Sequence, residues 1–296
     1  MSIRNLIELI LLAMVWGASY MFMRIATPEF GAIALIEIRV LVASLFLLPI
    51  WIFREGKSST QQVKQFWWPI FVIGTLNSAV PFVLFAYSTL SITGGFASIL
   101  NSTAPIWAAL VAWLWLKKKL NFNGILGLLL GLIGVAILVS GSLSFDNSAA
   151  MIGIIAAVSA SLLYGISANY TTEKLSKVSP LTISTFSQIG AMLVLLPLAI
   201  YFFPTEEISS ESWLAVLALG VFCTGFAYTM YFRLIANVGS TKAITVTFLI
   251  PIFGTMWGAL FLDEEVTQEM IVGTLIILLG TALVTGILSA RKVITK

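Results

Sequence analysis

Three prolines lie in apolar runs of the chain, and each follows a polar residue by four positions. The pairs are Asn77 with Pro81, Asn101 with Pro105, and Thr247 with Pro251. Because proline has no N–H group, the carbonyl four positions earlier loses its helical donor, and in lipid it needs another partner or a water-lined cavity. We predict that the three polar residues bind a substrate and that the three prolines act as hinges. The alternative is that the polar side chains satisfy nearby backbone or join helices.

Aromatic side chains that carry a polar group form the second candidate set. Its members are Trp16, Tyr20, Tyr164 and Tyr228. Trp16 and Tyr20 are four positions apart and therefore share one helix face. Rings with a polar edge suit a cavity through which an amphipathic solute passes, so we predict that all four line a substrate site. Ordinary helix packing is the alternative, and it is what we expect for Tyr231.

Ionisable residues inside membrane spans are costly and usually functional. Glu37 and Arg39 lie in one apolar run, two positions apart, so they point to different sides of a helix and make poor partners. We predict that Arg39 binds substrate, with snorkelling to the outer headgroups as the alternative. Glu37 is the candidate for a proton-coupled step. Glu8 is close to the inner surface, where we expect it to be solvated.

The sequence predicts that membrane-spanning helices carry these residues. Hydrophobic residues make up 59% of the 296 residues and charged residues only 10%, and the mean hydropathy is +1.03. The apolar residues form runs of roughly 20, the length that crosses the hydrocarbon core as a helix. The sequence therefore predicts an all-α integral membrane protein with ten transmembrane helices. They cover roughly residues 6–23, 32–53, 66–87, 94–116, 122–140, 149–171, 181–203, 212–234, 243–262 and 270–289.

The distribution of basic residues predicts how the protein is oriented. With a cytoplasmic N-terminus, the inner loops and tails hold all 16 Lys and Arg residues except Arg24 and Arg39. Cytoplasmic loops of membrane proteins carry an excess of these residues. We therefore expect both termini in the cytoplasm, and we interpret Lys117–Lys119 and Asp263–Glu265 as orientation signals rather than substrate ligands.

The two halves of the chain repeat each other with an offset of about 146–148 residues. Several matches carry this alignment: Trp16-Gly17 on Tyr164-Gly165, Asn77 on Cys223, Pro105 on Pro251, Lys117–Lys119 on Asp263–Glu265, and Gly127 and Gly134 on Gly273 and Gly280. Because five spans is an odd number, the second copy must be inverted, an arrangement found in transporters. We predict two inverted five-helix repeats, residues 1–144 and 145–296. The glycine spacing also predicts that spans five and ten pack closely.

At this point the chain resembles the drug/metabolite transporter superfamily, specifically the ten-span EamA-type exporters. The residues that carry the resemblance are Trp16-Gly17-Ala18-Ser19-Tyr20, Arg39, Pro105, Pro251 and Leu262-Asp263-Glu264. That family often ends its fourth span with an acidic residue, where this chain has Lys118, which puts a paired acidic role with Glu264 in doubt. The resemblance implies an inner-membrane carrier of small metabolites, such as amino acids, with a central cavity between two inverted halves.

Composition narrows the functional classes further. The chain contains no histidine and one cysteine, so the commonest metal ligand and proton shuttle are missing. We expect no metal and no cofactor, and no paired intramembrane carboxylates are available for an enzyme. There is also no nucleotide-binding loop. The net charge of +3 reflects topology and predicts no nucleic-acid binding.

These observations favour a secondary transporter that works by alternating access, with export favoured over uptake. A channel-like facilitator, a proton-coupled drug/metabolite antiporter and an uptake carrier of the same fold remain alternatives. The expected partners are a small-molecule substrate and the lipid bilayer, with protons as a candidate coupling ion. The oligomeric state, monomer or homodimer, is left open.

Overall fold

The computed structural model describes residues 2–140, 148–239 and 243–287. Within these ranges the regular structure is helical and contains no strand. The α-helices are α1 (Ile3–Arg54), α2 (Gly56–Ile73), α3 (Val80–Ser88), α4 (Gly94–Asn101), α5 (Ala104–Leu114), α6 (Phe122–Ser140), α7 (Ser148–Lys174), α8 (Pro180–Tyr201), α9 (Ser210–Gly220), α10 (Ala227–Val238), α11 (Ile250–Phe261) and α12 (Gln268–Val284). Two π-helical turns, π1 (Gly74–Ala79) and π2 (Val221–Phe226), and one 3-10 turn (Ile244–Phe248) lie between them.

Much of this helical structure is long and apolar enough to cross a membrane. Seven helical stretches of the described residues meet that criterion by length and composition, and two shorter apolar helices, α11 and α12, follow them. The stretches Ser58–Ser88 and Ser210–Val238 each run through a π-helical turn. Large apolar side chains on the outside, such as Leu129, Leu132 and Ile133 on α6, are about half exposed. An apolar exterior of this kind is suited to lipid.

Helix α1 is two helical arms rather than one rod. Gly31 has φ 69° and ψ 156°, a non-helical conformation that favours glycine, and it separates residues 3–30 from residues 32–54. The Arg39 Nη1 atom lies 3.9 Å from the Met23 sulfur. Along a straight helix these residues would be roughly 24 Å apart. The chain therefore folds back on itself at Gly31, which brings Arg39 against the first arm.

The hydroxyl residues before several helices explain where those helices begin. Thr93 accepts a hydrogen bond from the Phe96 N–H before α4, and Thr267 accepts one from the Met270 N–H before α12. Ser209 does the same before α9. Side chains of this type satisfy N–H groups that have no partner in the first helical turn.

Each of the three candidate hinge prolines lies directly after a local change of helix type. Pro81, Pro105 and Pro251 lie near the starts of α3, α5 and α11, respectively. The chain immediately before them is π1, a turn at Ser102–Thr103, and the 3-10 turn. Proline has no N–H group to donate within a helix. A local change of helix type therefore accompanies each proline.

Unusual backbone features recur at a nearly constant spacing. π1 and π2 begin 147 residues apart, at Gly74 and Val221. Lys117 (φ 55°) and Asp263 (φ 53°) are the non-glycine residues with positive φ in the described chain. Each ends a helix in the same way, because the next N–H, of Lys118 or Glu264, donates to a carbonyl six residues earlier at 3.1 Å. The predicted alignment of Asn77 with Cys223, at an offset of 146 residues, lies within one residue of this spacing and stays a prediction.

Helices α6 and α12 pack against each other through glycines, which confirms the predicted contact of spans five and ten. A β-carbon on Gly127 would lie 2.6 Å from the Gly280 carbonyl oxygen, and one on Gly134 would lie 3.0 Å from the Gly273 carbonyl oxygen. The order of these contacts shows that the helices are antiparallel. Backbones this close leave no space for a side chain.

Candidate substrate cavity

A cavity of about 540 Å³ is bounded by residues from both halves of the chain, and we call it the central cavity. Its lining comes from both arms of α1, from π1, α3, α4, α5, α7, π2, α10, the 3-10 turn, the start of α11 and the end of α12. Most lining side chains are apolar or aromatic, with a few polar groups between them. A cavity of this size and composition is typical of sites for small organic molecules.

The structure brings all eight residues predicted to bind substrate to this one cavity. They are Trp16, Tyr20, Arg39, Asn77, Asn101, Tyr164, Tyr228 and Thr247. Pro105 also lies on its wall, whereas Pro81 and Pro251 do not. The structure shows that these eight side chains line one cavity. That they contact a substrate stays a prediction.

Arg39 is the charged group of the cavity wall. Its side chain is 4% exposed, and its Nε atom donates to the Thr224 hydroxyl at 2.9 Å. The guanidinium carbon lies 3.8 Å from the centre of the Phe82 ring, a cation–π contact. The arginine therefore faces the cavity and does not reach out to the lipid headgroups.

The two π-helical turns place polar side chains at contacts between the halves. In π1, Asn77 Oδ1 accepts from the Ser167 hydroxyl at 3.1 Å, and the Ser78 hydroxyl accepts from Gln188 Nε2 at 2.9 Å. In π2, Thr224 accepts from Arg39. A π-turn inserts one residue into the helix and redirects the side chains after it. These two turns are thus a structural reason why polar groups point inward.

Asn101 is a polar residue of the cavity wall. It is half-buried, and its Oδ1 atom is closed to solvent and has no hydrogen-bond partner in the structure. Buried polar atoms normally have a partner, so this oxygen is suited to a donor group only when the side chains around it move. Thr247 differs, because its hydroxyl already donates to the Ile244 carbonyl at 2.8 Å.

Aromatic rings form much of the remaining wall. The Trp16 ring lies 5.2 Å from Tyr231 and 6.5 Å from Tyr228, measured between ring centres. On the other side, Phe85 contacts Tyr20 edge-on at 5.6 Å and stacks on Tyr164 at 5.9 Å. Tyr231, for which helix packing was expected, does pack on Trp16, and its ring is also part of the cavity wall.

Sequence reasoning missed other lining residues, among them Phe82, Phe85 and Thr224. Two of them had a usable signal. Thr224 precedes Tyr228 by four positions and so shares its helix face, and Phe85 follows Asn77 by eight. Phe82 had none, because a phenylalanine next to a proline in an apolar span looks like a lipid-facing residue.

The acidic residues of the first spans lie away from the cavity. Glu37 is 6% exposed, lies outside the cavity lining, and its Oε2 atom has no hydrogen-bond partner. Glu8 is not solvated as expected: it is buried and forms ion pairs with Arg233 at 2.7 Å and with Arg4 at 3.3 Å. Its position near a helix end is compatible with burial because two cations neutralise it. Within the described residues, His, Cys, Asp and Glu form no cluster of three that could hold a metal.

Comparison with known proteins shows which family the chain belongs to. A model of the EamA-like transporter family matches residues 5–140 and again residues 151–286. The chain belongs to the EamA-like transporter family. The family match covers both halves of the wall around the central cavity.

Individual relatives of this EamA-like chain agree with the family. An "uncharacterized transporter YvbV" of Bacillus subtilis is 24% identical over 98% of this chain and 94% of its own length. An "uncharacterized transporter" of Archaeoglobus fulgidus is 25% identical over 97% and 99% of the two chains. A solved crystal structure superimposes with a TM-score of 0.67 at 17% identity, covering 98% of this chain and 99% of that one. The relatives are bacterial and archaeal, and the EamA-like chain is a multi-pass protein of the inner (plasma) membrane.

The end of the fourth apolar stretch departs from the acidic pattern that the family resemblance implied. Lys118 is exposed there. The corresponding Glu264 accepts hydrogen bonds from the Gly94 and Gly95 N–H groups at 2.7 and 3.0 Å. A carboxylate at a helix N-terminus is favoured by the helix dipole and the free N–H groups. In this EamA-like chain Glu264 caps α4, and neither Glu264 nor Lys118 lines the central cavity.

Proposed function

We propose that this protein is a secondary transporter that exports small metabolites, such as amino acids or related compounds, across the inner membrane by alternating access. The observation that carries the proposal is the central cavity, whose wall is contributed by both halves of the chain. A site held between two halves can be opened to either side when the halves rock against each other. The transporter family supplies the context.

The wall chemistry fits an amphipathic solute. Arg39 supplies a cation, Asn101 supplies a polar amide, and rings such as Trp16 and Phe85 supply apolar surface. A zwitterion with an apolar side chain can use all three at once. Each polar contact fixes orientation, while the apolar wall contributes most of the buried area.

The proposal includes an arrangement of ten spans as two inverted five-helix repeats, residues 1–144 and 145–296, with both termini in the cytoplasm. Four observations support it: the fold-back at Gly31, the 147-residue spacing of π1 and π2, the matching helix ends at Lys117 and Asp263, and the antiparallel contact of α6 with α12. An odd number of spans per copy is what inverts the second copy relative to the first.

Proton coupling through Glu37 is part of the proposal. Glu37 is buried in the second arm of α1, and one of its carboxylate oxygens has no partner. A buried carboxylate without a cation beside it can exchange a proton when its surroundings change. A proton-coupled antiporter or an uptake carrier would use the same residue, so direction has to be measured.

Metabolite profiling of cells tests the proposed function. Cells that express the protein should accumulate a small set of metabolites in the medium and lose them from the cytoplasm, compared with cells that lack the protein. The opposite redistribution would indicate uptake. Identical metabolite profiles in both strains would contradict a transport function for this cavity.

A further inference from the structure

The charge of Arg39 has no acidic partner among the residues that the structure describes. Among these residues, the ion pairs are those of Glu8 with Arg4 and with Arg233, and neither includes Arg39. Glu37 is only two positions away, but it lies outside the cavity wall to which Arg39 belongs. A buried charge without a counter-charge is costly. A negatively charged ligand in the cavity would supply the missing counter-charge and offset this free-energy cost.

Two neighbours hold the Arg39 guanidinium in one position. Phe82 lies 3.8 Å beneath it, and the Thr224 hydroxyl accepts from Nε at 2.9 Å. That hydroxyl donates its own proton to the Leu219 carbonyl at 2.8 Å. Its lone pairs are therefore left to face the arginine. Leu219 lies five residues before Thr224, so the contact spans the start of π2.

The far end of the guanidinium is available to a ligand. The recorded contact of Nη1 is the Met23 sulfur at 3.9 Å, and a thioether is a weak acceptor. Within the described chain, Nη2 is paired with no protein acceptor. An arginine fork of this kind matches the two oxygens of a carboxylate.

We propose that Arg39, Thr224 and Phe82 form a carboxylate-binding subsite of the central cavity, in which Arg39 binds the carboxylate while Thr224 and Phe82 are positioning residues. The carried solute would be its ligand, so the inference rests on the proposed function. The subsite can be measured without transport because Cys223, the one cysteine of the chain, lines the same cavity next to Thr224.

Charge-selective labelling of Cys223 tests the cation. Purified protein is treated with methanethiosulfonates of similar size, one anionic (sulfonatoethyl) and one cationic (trimethylammonioethyl), and the ratio of the two rates is measured. We expect the anionic reagent to react faster. Arg39→Gln should lower this ratio at least about tenfold, since opposite charges close together in a protein interior attract by more than the energy of a tenfold rate. An unchanged ratio would overturn the subsite. If the buried Cys223 thiol reacts with neither reagent, the same ratio is measured at Asn101→Cys in a Cys223-free protein.

Positioning is tested with a matched pair at Thr224. Thr224→Val removes the acceptor at nearly constant volume and should lower the ratio several-fold, whereas Thr224→Ser keeps the hydroxyl and should preserve it. Equal ratios in the two variants would contradict a positioning role. Arg39→Lys keeps the charge without the fork, so it should retain the charge ratio, and it serves in the carboxylate test below if Arg39→Gln does not fold.

The carboxylate itself is tested by protection with benzoate and its neutral isostere benzamide. Benzoate should slow labelling of Cys223 in the natural protein and lose most of this effect in Arg39→Lys. Equal protection by both compounds, or by neither, would overturn carboxylate recognition. If labelling shows no dependence on Arg39 while metabolite export persists, the subsite fails and the proposed function stands. The reverse result would retain the subsite and remove the function.

Discussion

At the scale of single residues, polar side chains on the wall of the central cavity are the groups that would meet a solute. A Cys223-free protein with Asn101→Cys or Asn77→Cys should react with a small water-soluble thiol reagent, because both positions lie on the cavity wall. Leu100→Cys is the matched control. It is fully buried next to Asn101 and should stay unreactive. Absence of labelling at both asparagine positions would show that no water-filled cavity reaches them.

Glu37 carries the second residue-scale prediction. Glu37→Gln keeps the shape of the side chain but cannot release a proton, so transport should lose its pH dependence while exchange of labelled for unlabelled solute continues. The exposed Glu211 on α9 is the control, and Glu211→Gln should behave like the natural protein. Retained pH dependence in Glu37→Gln would remove this residue from the coupling mechanism.

Residue type and spacing predicted which side chains the structure would bring together. Trp16, Arg39 and Asn101 stand out because polar groups in lipid-length apolar runs need a reason to be there. Phe82 was missed because its contact with Arg39 leaves no mark on hydropathy or charge. Such residues become visible only when their partner has a position in space.

At the scale of helices, the stability of the protein should depend on the close contact between α6 and α12. Gly127→Ala would place a β-carbon 2.6 Å from the Gly280 carbonyl oxygen, and overpacking of this kind costs about 1–3 kcal/mol. The apparent melting temperature in detergent should fall by several degrees. Gly124→Ala on the same helix is the control, because its nearest neighbours, at 3.2 Å and beyond, are side chains that can move. Equal melting temperatures of the two variants would contradict the close contact.

Helix positions followed from the apolar runs, but helix type did not. The glycine spacing was sufficient to predict the contact of spans five and ten, since small residues report close approach directly. The π-turns were not predictable. One inserted residue leaves the hydropathy of a span unchanged, although it redirects the side chains that follow it. The sequence drew attention to the three prolines as candidate hinges. It did not predict the π and 3-10 turns that precede two of them.

At the scale of the whole molecule, the inverted arrangement predicts opposite exposure of matched loops. In a Cys223-free background, Glu265→Cys should react with a membrane-impermeant thiol reagent on intact cells. Lys119→Cys, its mate in the repeat, should react only after the membrane is opened. The physical reason is that the lysine-rich loop stays in the cytoplasm. Labelling of both positions from the same side would contradict the inverted topology.

Counterflow in proteoliposomes is the most direct test of alternating access to the central cavity. Vesicles containing the protein are loaded with an unlabelled metabolite identified by profiling, and labelled metabolite is added outside. A carrier that alternates access to one cavity should accumulate label transiently above the outside concentration, and Arg39→Gln should reduce that peak strongly. Label that only equilibrates, with no overshoot in the natural protein, would contradict alternating access and indicate a pore.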